Sequence, residues 1–470
     1  MSGVNMRKMY KRKTQFKTAQ IVALGFAAII LLGAGLLSLP IAWAPGHQIR
    51  FIDALFTSTT SICVTGLVTE PTYAAWSGFG KLIILLLIQL GGFGVVTCGT
   101  LVVLAMGKRV SIRNRRLIQE SYNLDTLKGL IGLIRKIVLG TLAVEGVGML
   151  LYAIQFVPEF GFGKGMAVSL FNAVSAFCNA GMDIIGENSL ADYAQNPLIN
   201  FTTMGLIVLG GIGYLVWWDL IRCGKRILRR QMRLRQAFRA LELNTKIALT
   251  ATGILIFAGA FLVFILEYRN TGTMAGMSLG EKCMAAFFQS ITCRTAGFFT
   301  IPQENLHEAT AMVSMILMFI GGSPMGTAGG VKTTTIAALL LTGISFFKGK
   351  EDTEAFNRRI PETNIRTAWV VVMLGLGVLL TATVGVAIAT EGMKEGAYLI
   401  NILYEVTSAG ATVGLTRGLT PLLPVAGKVI IILTMYIGRI GPTTLAAALT
   451  IHGEKKPSGM HLPDQKIFIG

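Results

Sequence analysis

The sequence predicts an all-α polytopic membrane protein in which four tandem span–half-helix–span repeats surround one pseudo-fourfold axis. Three observations carry that expectation: a composition ill suited to water, a pair of glycine landmarks that recurs four times, and basic residues confined to alternate connections. Of the 470 residues, 53% are hydrophobic and 14% are charged, with a mean hydropathy of +0.63. A soluble domain carries about a quarter charged residues. That balance argues against a soluble enzyme, a disordered chain and a fibrous repeat.

Apolar runs long enough to cross a hydrocarbon core of roughly 30 Å occupy 20–44, 80–107, 130–157, 197–221, 245–267, 311–347, 368–390 and 423–451. Between the members of each pair lie shorter runs near 51–62, 167–178, 280–293 and 397–409. These are too short to span and read as re-entrant half-helices. The first run ends in Ala42-Trp43-Ala44, which resembles a signal-peptide cleavage site. A secretory apolar region has about 7–15 residues; this run is longer and is expected to be a retained span. The repeats divide at 1–110, 111–235, 236–350 and 351–470, the third containing an intramembrane loop at 321–333 and the fourth ending in a cytosolic tail.

Charge fixes the expected orientation. Lys and Arg number 42 against 24 Asp and Glu, a net +18. Thirty-one of the 42 lie in 1–17, 107–136, 222–246, 346–366 and the C-terminal tail, leaving those segments, with the adjoining Asp219 counted among them, at +21 and the opposite connections at −4. Cytoplasmic loops of membrane proteins carry such an excess of Lys and Arg, so eight spans with both termini in the cytoplasm are expected. Nucleic-acid binding would instead gather the charge on one domain or stripe. Lys332, Arg439 and Glu145 remain inside apolar spans. The six cysteines form no CxxC pair or Cys/His cluster, so neither a disulfide framework nor a zinc site is indicated.

Four segments end in a small-residue turn and a glycine: Ser61-Ile-Cys-Val-Thr-Gly66, Ala176-Phe-Cys-Asn-Ala-Gly181, Thr292-Cys-Arg-Thr-Ala-Gly297 and Ala409-Gly-Ala-Thr-Val-Gly414. The glycines stand 115, 116 and 117 residues apart. A second landmark begins 24, 28, 23 and 22 residues later: Leu90-Gly-Gly-Phe-Gly, Leu209-Gly-Gly-Ile-Gly, Ile320-Gly-Gly-Ser-Pro and Tyr436-Ile-Gly-Arg-Ile-Gly. Non-helical backbone at membrane depth survives only where it lines a watery cavity or is buried in protein. Glycine lets a returning backbone take φ > 0 and aim successive carbonyls at an axis, and carbonyl rings that replace a hydration shell form cation filters. The half-helix C-termini add partial negative charge. The expected filter is therefore Val64, Thr65, Gly66, Asn179, Ala180, Gly181, Thr295, Ala296, Gly297, Thr412, Val413 and Gly414. Packing glycines of the GxxxG kind are the alternative, but they need no preceding half-helix.

The third repeat carries the expected gate: Gly321, Gly322, Ser323, Thr327, Gly329, Gly330 and Lys332, together with Arg439. Proline and several glycines break a helix, so a loop in mid-membrane is expected, just under the filter. A nucleotide-binding P-loop is excluded because Val331 separates Gly330 from Lys332. An arginine at the bilayer centre costs about 2.5–3.5 kcal/mol and should turn inward to carbonyls, those of the loop among them. Glu145 is expected to be packed and hydrogen-bonded. Arg222, Lys225, Arg226, Arg229, Arg230 and Arg233 recur every three to four residues, on one face of a helix expected to continue the second span into the cytosol. Anionic lipid or a regulatory subunit would meet that face.

The fourfold unit, the run Gly321-Gly-Ser-Pro-Met-Gly-Thr-Ala-Gly-Gly-Val-Lys-Thr333 and the run Tyr436-Ile-Gly-Arg-Ile-Gly-Pro442 resemble the Trk/Ktr/HKT superfamily of potassium transporters over nearly the whole chain. The likeness is greatest to the bacterial Ktr membrane subunit (KtrB), since no extra N-terminal span pair of the Trk branch is present. The resemblance implies a multi-pass protein of the bacterial cell membrane with four pore helices around one pore. It implies that K+ is the transported ion, held by filter carbonyls only, that sodium often stimulates uptake, and that the chain needs no organic cofactor and is not an enzyme. It further implies a homodimer, control by a cytosolic nucleotide-binding ring of the KtrA kind, and an arginine barrier near the pore. Arg294, three residues before Gly297, and Asn179, two before Gly181, make the four strands unequal. A rocking symporter would show inverted or paired repeats; a membrane enzyme would need a convergent reactive set, which the sequence lacks.

Overall fold

The computed structural model describes residues 18–94, 97–100, 104, 129–393, 396–441 and 444. The basic N-terminal segment, most of the 107–136 connection, the boundary at 110/111, the end of the last span and the C-terminal tail lie outside the described residues.

The first repeat contains α1 (Thr18–Leu37), α2 (Phe51–Cys63) and α3 (Gly78–Phe93). The second contains α4 (Leu130–Phe160), α5 (Phe162–Cys178), α6 (Pro197–Gly211) and α7 (Tyr214–Leu228), followed by the short α8 (Leu234–Ala240). The third has α9 (Leu243–Glu267), α10 (Leu279–Thr292), α11 (Glu308–Phe319) and α12 (Thr333–Phe347). A small hairpin, Glu354–Ala355 with Arg358–Arg359, leads to α13 (Glu362–Ala389), α14 (Leu399–Gly410) and α15 (Val425–Ile440). Local chemistry starts these helices. Asn196 accepts from the Leu198 and Ile199 amides ahead of Pro197, and Ser278 and Glu281 form a capping box at α10.

The helices α1, α4, α9 and α13 are long and apolar enough to cross a membrane, and Leu31, Leu139, Phe257 and Leu380 on them are exposed, as lipid-facing residues are. The expectation that, of the eight spans, only the third repeat's second one is interrupted is corrected. The second helices α3, α6, α11 and α15 have 16, 15, 12 and 16 residues, about 18–24 Å at 1.5 Å per residue. Each stops at the second landmark, where Gly94, Gly213 and Gly441 take φ of +78°, +95° and +89° and the third breaks into the 320–332 loop. The sequence predicted an interruption only in the third. After Gly213 the chain turns by 100°, so the basic helix α7 does not continue α6, as expected from its sequence, but crosses it. α5 also begins at Phe162 rather than near 167, because Gly161 at φ +80° separates it from α4.

The repeats close on one another. Tyr73 Oη donates to Glu187 at 2.7 Å between the first and second. The Leu190 amide donates to the Phe299 carbonyl at 3.1 Å between the second and third. Tyr404 Oη donates to Gln303 at 2.8 Å between the third and fourth. Lys428 of α15 and Asp53 of α2 then join the fourth to the first at 2.5 Å. Both charges count toward the outer face in the sequence, yet both are buried. Removing one partner of such a pair costs about 3–5 kcal/mol because the other charge is left buried and unpaired, so the contact between the fourth and first repeats tolerates neither charge alone.

Candidate functional site

The half-helices α2, α5, α10 and α14 all end in the turns that carry Gly66, Gly181, Gly297 and Gly414, at φ of +101°, +63°, +88° and +96°. The four meet in cyclic order. A methyl group built on Gly66 would stand 2.6 Å from the Ala180 carbonyl oxygen, one on Gly181 2.5 Å from that of Ala296, and one on Gly297 2.5 Å from that of Val413. One on Gly414 would strike the Thr65 carbonyl oxygen. The carbonyls preceding each glycine thus lie against the next glycine round the ring.

The structure adds a feature that sequence reasoning missed. The residue two before each glycine also takes positive φ: Val64 +55°, Asn179 +60°, Thr295 +72° and Thr412 +53°. Three of these are β-branched, and strained backbone of this kind costs about 1–3 kcal/mol per residue. Buried hydroxyls hold it in place. Thr60 Oγ1 accepts from the Gly66 amide at 2.9 Å, Ser408 Oγ from the Gly414 amide at 3.0 Å, and Ser175 Oγ from the Met182 amide at 3.1 Å. The carbonyls of the same three residues accept from Thr65, Val413 and Ala180, each at 2.8 Å. The third turn has Ile291 at that position, and Thr292 Oγ1 instead donates to the Phe298 carbonyl at 2.5 Å. The signal was legible as a Ser or Thr six residues before three of the four glycines.

The second landmark has its explanation here. Methyl groups on Gly91, Gly210 and Gly438 would collide with the carbonyls of Ile62, Phe177 and Gly410, each four residues before a turn glycine. Bare backbone lets the second helices seat directly on the half-helix ends. Arg439 stands in register with Gly92, Gly211 and Gly322 of the other copies.

The 320–332 loop is pinned from three sides. Ser323 and Thr327 amides donate to the carbonyls of Gly211 and Gly210 at 2.9 and 3.0 Å, and the Tyr214 amide donates to Met325 at 3.1 Å. Thr327 Oγ1 donates to the Phe177 carbonyl at 3.0 Å. The Gly329 amide donates to Thr295 Oγ1 at 3.1 Å, and a methyl on Gly329 would strike the Thr412 hydroxyl, so the loop tip lies against two turn residues. Ser323 and Thr333 hydroxyls meet at 3.0 Å, Gly321 donates to Val331 at 3.0 Å, and the Gly330 bend takes φ +65°, with Gly322 packed against Ala328. Lys332 Nζ caps the Ala328 carbonyl at 2.7 Å. Arg439 turns inward, donating to the Thr327 carbonyl at 2.6 Å and to the Gly91 carbonyl. Lys332 and Arg439 line a cavity of about 650 Å³ with Gly94, Met325 and Ile437.

Arg294 does not point its charge at the ring. It is buried and reaches the Gly321 carbonyl at 3.3 Å and the Thr252 hydroxyl at 3.4 Å, so the third turn holds the root of the loop. Asn179 is buried with no partner for its amide among the described residues. Glu145 accepts from Gln89 at 3.2 and 3.3 Å and lies 3.8 Å from Cys178 Sγ, a hydrogen-bonded bridge between the first two repeats.

Comparisons with known proteins agree in their direction. The sequence model of the TrkH family, a cation transport protein, matches residues 11–459. The chain is 36% identical over 466 residues to the potassium/sodium uptake protein NtpJ of Enterococcus hirae, covering 99% of this chain and 100% of that one. It is 36% identical over 456 residues to the Ktr system potassium uptake protein B of Bacillus subtilis, covering 97% of each. The solved structure of the potassium transporter TrkH from Vibrio parahaemolyticus superposes with a TM-score of 0.71 at 18% identity, over 95% of this chain and 87% of that one.

Proposed function

The chain belongs to the TrkH family of cation transport proteins, and on that premise we propose that it takes up potassium through a channel-like pathway. Its filter is the ring of carbonyls at 64–66, 179–181, 295–297 and 412–414, and its gate is the loop at 321–333 with Arg439. The observation that carries the reading is the cyclic contact of four glycine turns, each neighbour's carbonyl lying where a side chain would otherwise stand. A dehydrated cation on that axis exchanges water oxygens for carbonyl oxygens, and four half-helix C-termini add partial negative charge.

The gate works by charge and by bulk. Arg439 ties the loop through Thr327 to the first repeat through Gly91, and its charge, with that of Lys332, opposes a cation leaving the filter. Flux requires the loop to release Thr327 and swing clear. The acidic outer face, −4 against +21 inside, gathers cations at the mouth, with both termini in the cytoplasm. Sodium, named for the Enterococcus relative, acts as a second ion or as a stimulant. A second copy of the chain and a cytosolic nucleotide-binding ring complete the system.

Gly181→Ser tests the pathway in potassium-deficient cells. Lost uptake, or a shift of potassium-over-sodium preference toward sodium, is expected. Unaltered uptake and preference would remove the ring from the ion path.

A further inference from the structure

The start of α7 packs against the third turn of α4 rather than along α6. A methyl on Gly140 of α4 would meet Trp217 at 3.5 Å and Trp218 at 4.0 Å, and Lys136 Nζ lies 5.6 Å above the Trp218 ring. α4 begins at Leu130 and carries Arg135 and Lys136 in its first two turns. The later turns of α7 run to the start of α9: Asp219 accepts from the Glu242 amide at 2.9 Å, one residue before α9 begins, so these turns are level with the basic end of a span, the depth at which Trp and Lys collect in membrane proteins.

The faces of α7 are sharply divided. Val216, Trp217, Asp219 and Cys223 are buried. On the open side, Ile221 and Leu228 are 41% and 84% exposed and, seven residues apart, share one line along the helix. Beside them Arg222, Lys225, Arg226 and Arg229 form a basic row, all exposed. Arg222 is engaged by Glu242 at 3.3 Å and Asp219 at 3.9 Å. Among the described residues, no carboxylate lies within ion-pair distance of Lys225, Arg226 or Arg229. An apolar edge flanked by a cationic one is the pattern of a helix lying in a membrane interface. Hydrocarbon takes the first edge and anionic headgroups the second.

The hinge that starts α7 also holds the intramembrane loop. Gly210 and Gly211 accept from Thr327 and Ser323, and Tyr214 donates to Met325, while a methyl on Gly213 would strike the Pro324 carbonyl. Whatever fixes α7 fixes those three backbone bonds.

We propose that α7 is an interfacial helix that binds anionic phospholipid headgroups through Lys225, Arg226 and Arg229, and that this seating restrains the 320–332 loop in its resting position. The second half rests on the gate reading above; the first does not. The occupant is the bilayer, because the cationic row shares its open surface with an apolar edge at the depth of a span's end.

The test uses the purified full chain. Mass spectrometry of the detergent-solubilised protein reads phosphatidylglycerol retained against phosphatidylcholine, and rubidium uptake into vesicles of either lipid reads the gate. The triple variant Lys225→Gln, Arg226→Gln, Arg229→Gln is expected to lose phosphatidylglycerol retention, about fivefold per residue. Wild type is expected to conduct several-fold less in phosphatidylglycerol than in phosphatidylcholine, and the triple variant equally in both. Exchanging the three among Lys and Arg should preserve wild-type behaviour. Unchanged retention in the triple variant, or inorganic phosphate reproducing the lipid effect, overturns the lipid site. A triple variant that keeps its lipid retention but no longer responds to a cytosolic subunit also overturns it, in favour of protein docking. Lost retention with wild-type lipid dependence of flux overturns the coupling. Wild type inactive in every vesicle would sink the cation pathway while the retention result stood alone.

Discussion

The ring of glycine turns and the loop beneath it are built on opposite principles. In the ring, four copies make nearly the same contact with the next copy, and the contacts are backbone to backbone. In the loop, one copy alone departs, and every tether differs: an arginine from the fourth repeat, another from the third, a hydroxyl of the third turn and backbone of the second. On the proposed reading of the ring as filter and the loop as gate, the difference teaches how one chain combines the two tasks. A cation coordinated from all sides needs equivalent oxygens, which a repeated backbone motif supplies. A switch needs unequal partners that can be released separately, and only divergence of one copy supplies those.

The largest effect should come from the ring. Gly414→Ala forces a side chain into left-handed backbone, at about 1–3 kcal/mol, and drives its methyl into the Thr65 carbonyl oxygen. Potassium uptake in deficient cells should fall more than about tenfold, while Gly377→Ala, with open space around it, should match wild type. Equal behaviour of the two would break the claim that the turns form one close-packed ring.

Next comes the loop. Arg439→Ala removes charged hydrogen bonds to Thr327 and Gly91, each worth about 1.5–3 kcal/mol, and a positive charge from the exit. Potassium flux should rise about tenfold, with increased motion of a spin label at Met325. Unchanged flux together with an unchanged label spectrum would end the gate assignment. A smaller effect is expected at the supports of the ring. Ser408→Ala removes the acceptor of the Gly414 amide, about 1 kcal/mol, and should reduce potassium-over-sodium preference a few-fold, with Ser408→Thr restoring it. A selectivity unmoved by Ser408→Ala would leave the hydroxyls a purely structural part of the half-helices.

Much of this is legible in residue type alone. The recurrence of Gly66, Gly181, Gly297 and Gly414 announced the ring, and the Gly- and Pro-rich run at 321–333 announced the loop, because bare or kinked backbone leaves a mark in residue type. The breaks at Gly94, Gly213 and Gly441 were missed: single glycines inside apolar runs look like packing positions, and only their φ tells otherwise. The positive φ of Val64, Asn179, Thr295 and Thr412 was missed for the converse reason. Nothing in a Val or Thr advertises left-handed backbone, which is imposed by the bonds around it.

The sequence by itself determined the class of molecule, the fourfold unit and the alternation of its charge along the chain, all of which follow from local hydropathy and spacing. Tertiary structure alone decided which copy neighbours which, that Asp53 and Lys428 seal the ring between its ends, that Arg294 serves the loop rather than the axis, and that α7 turns aside from its span. Partners more than a hundred residues apart, such as Arg439 and Thr327 or Lys428 and Asp53, leave no local trace. The energy that selects them exists only once the repeats have closed around a common axis.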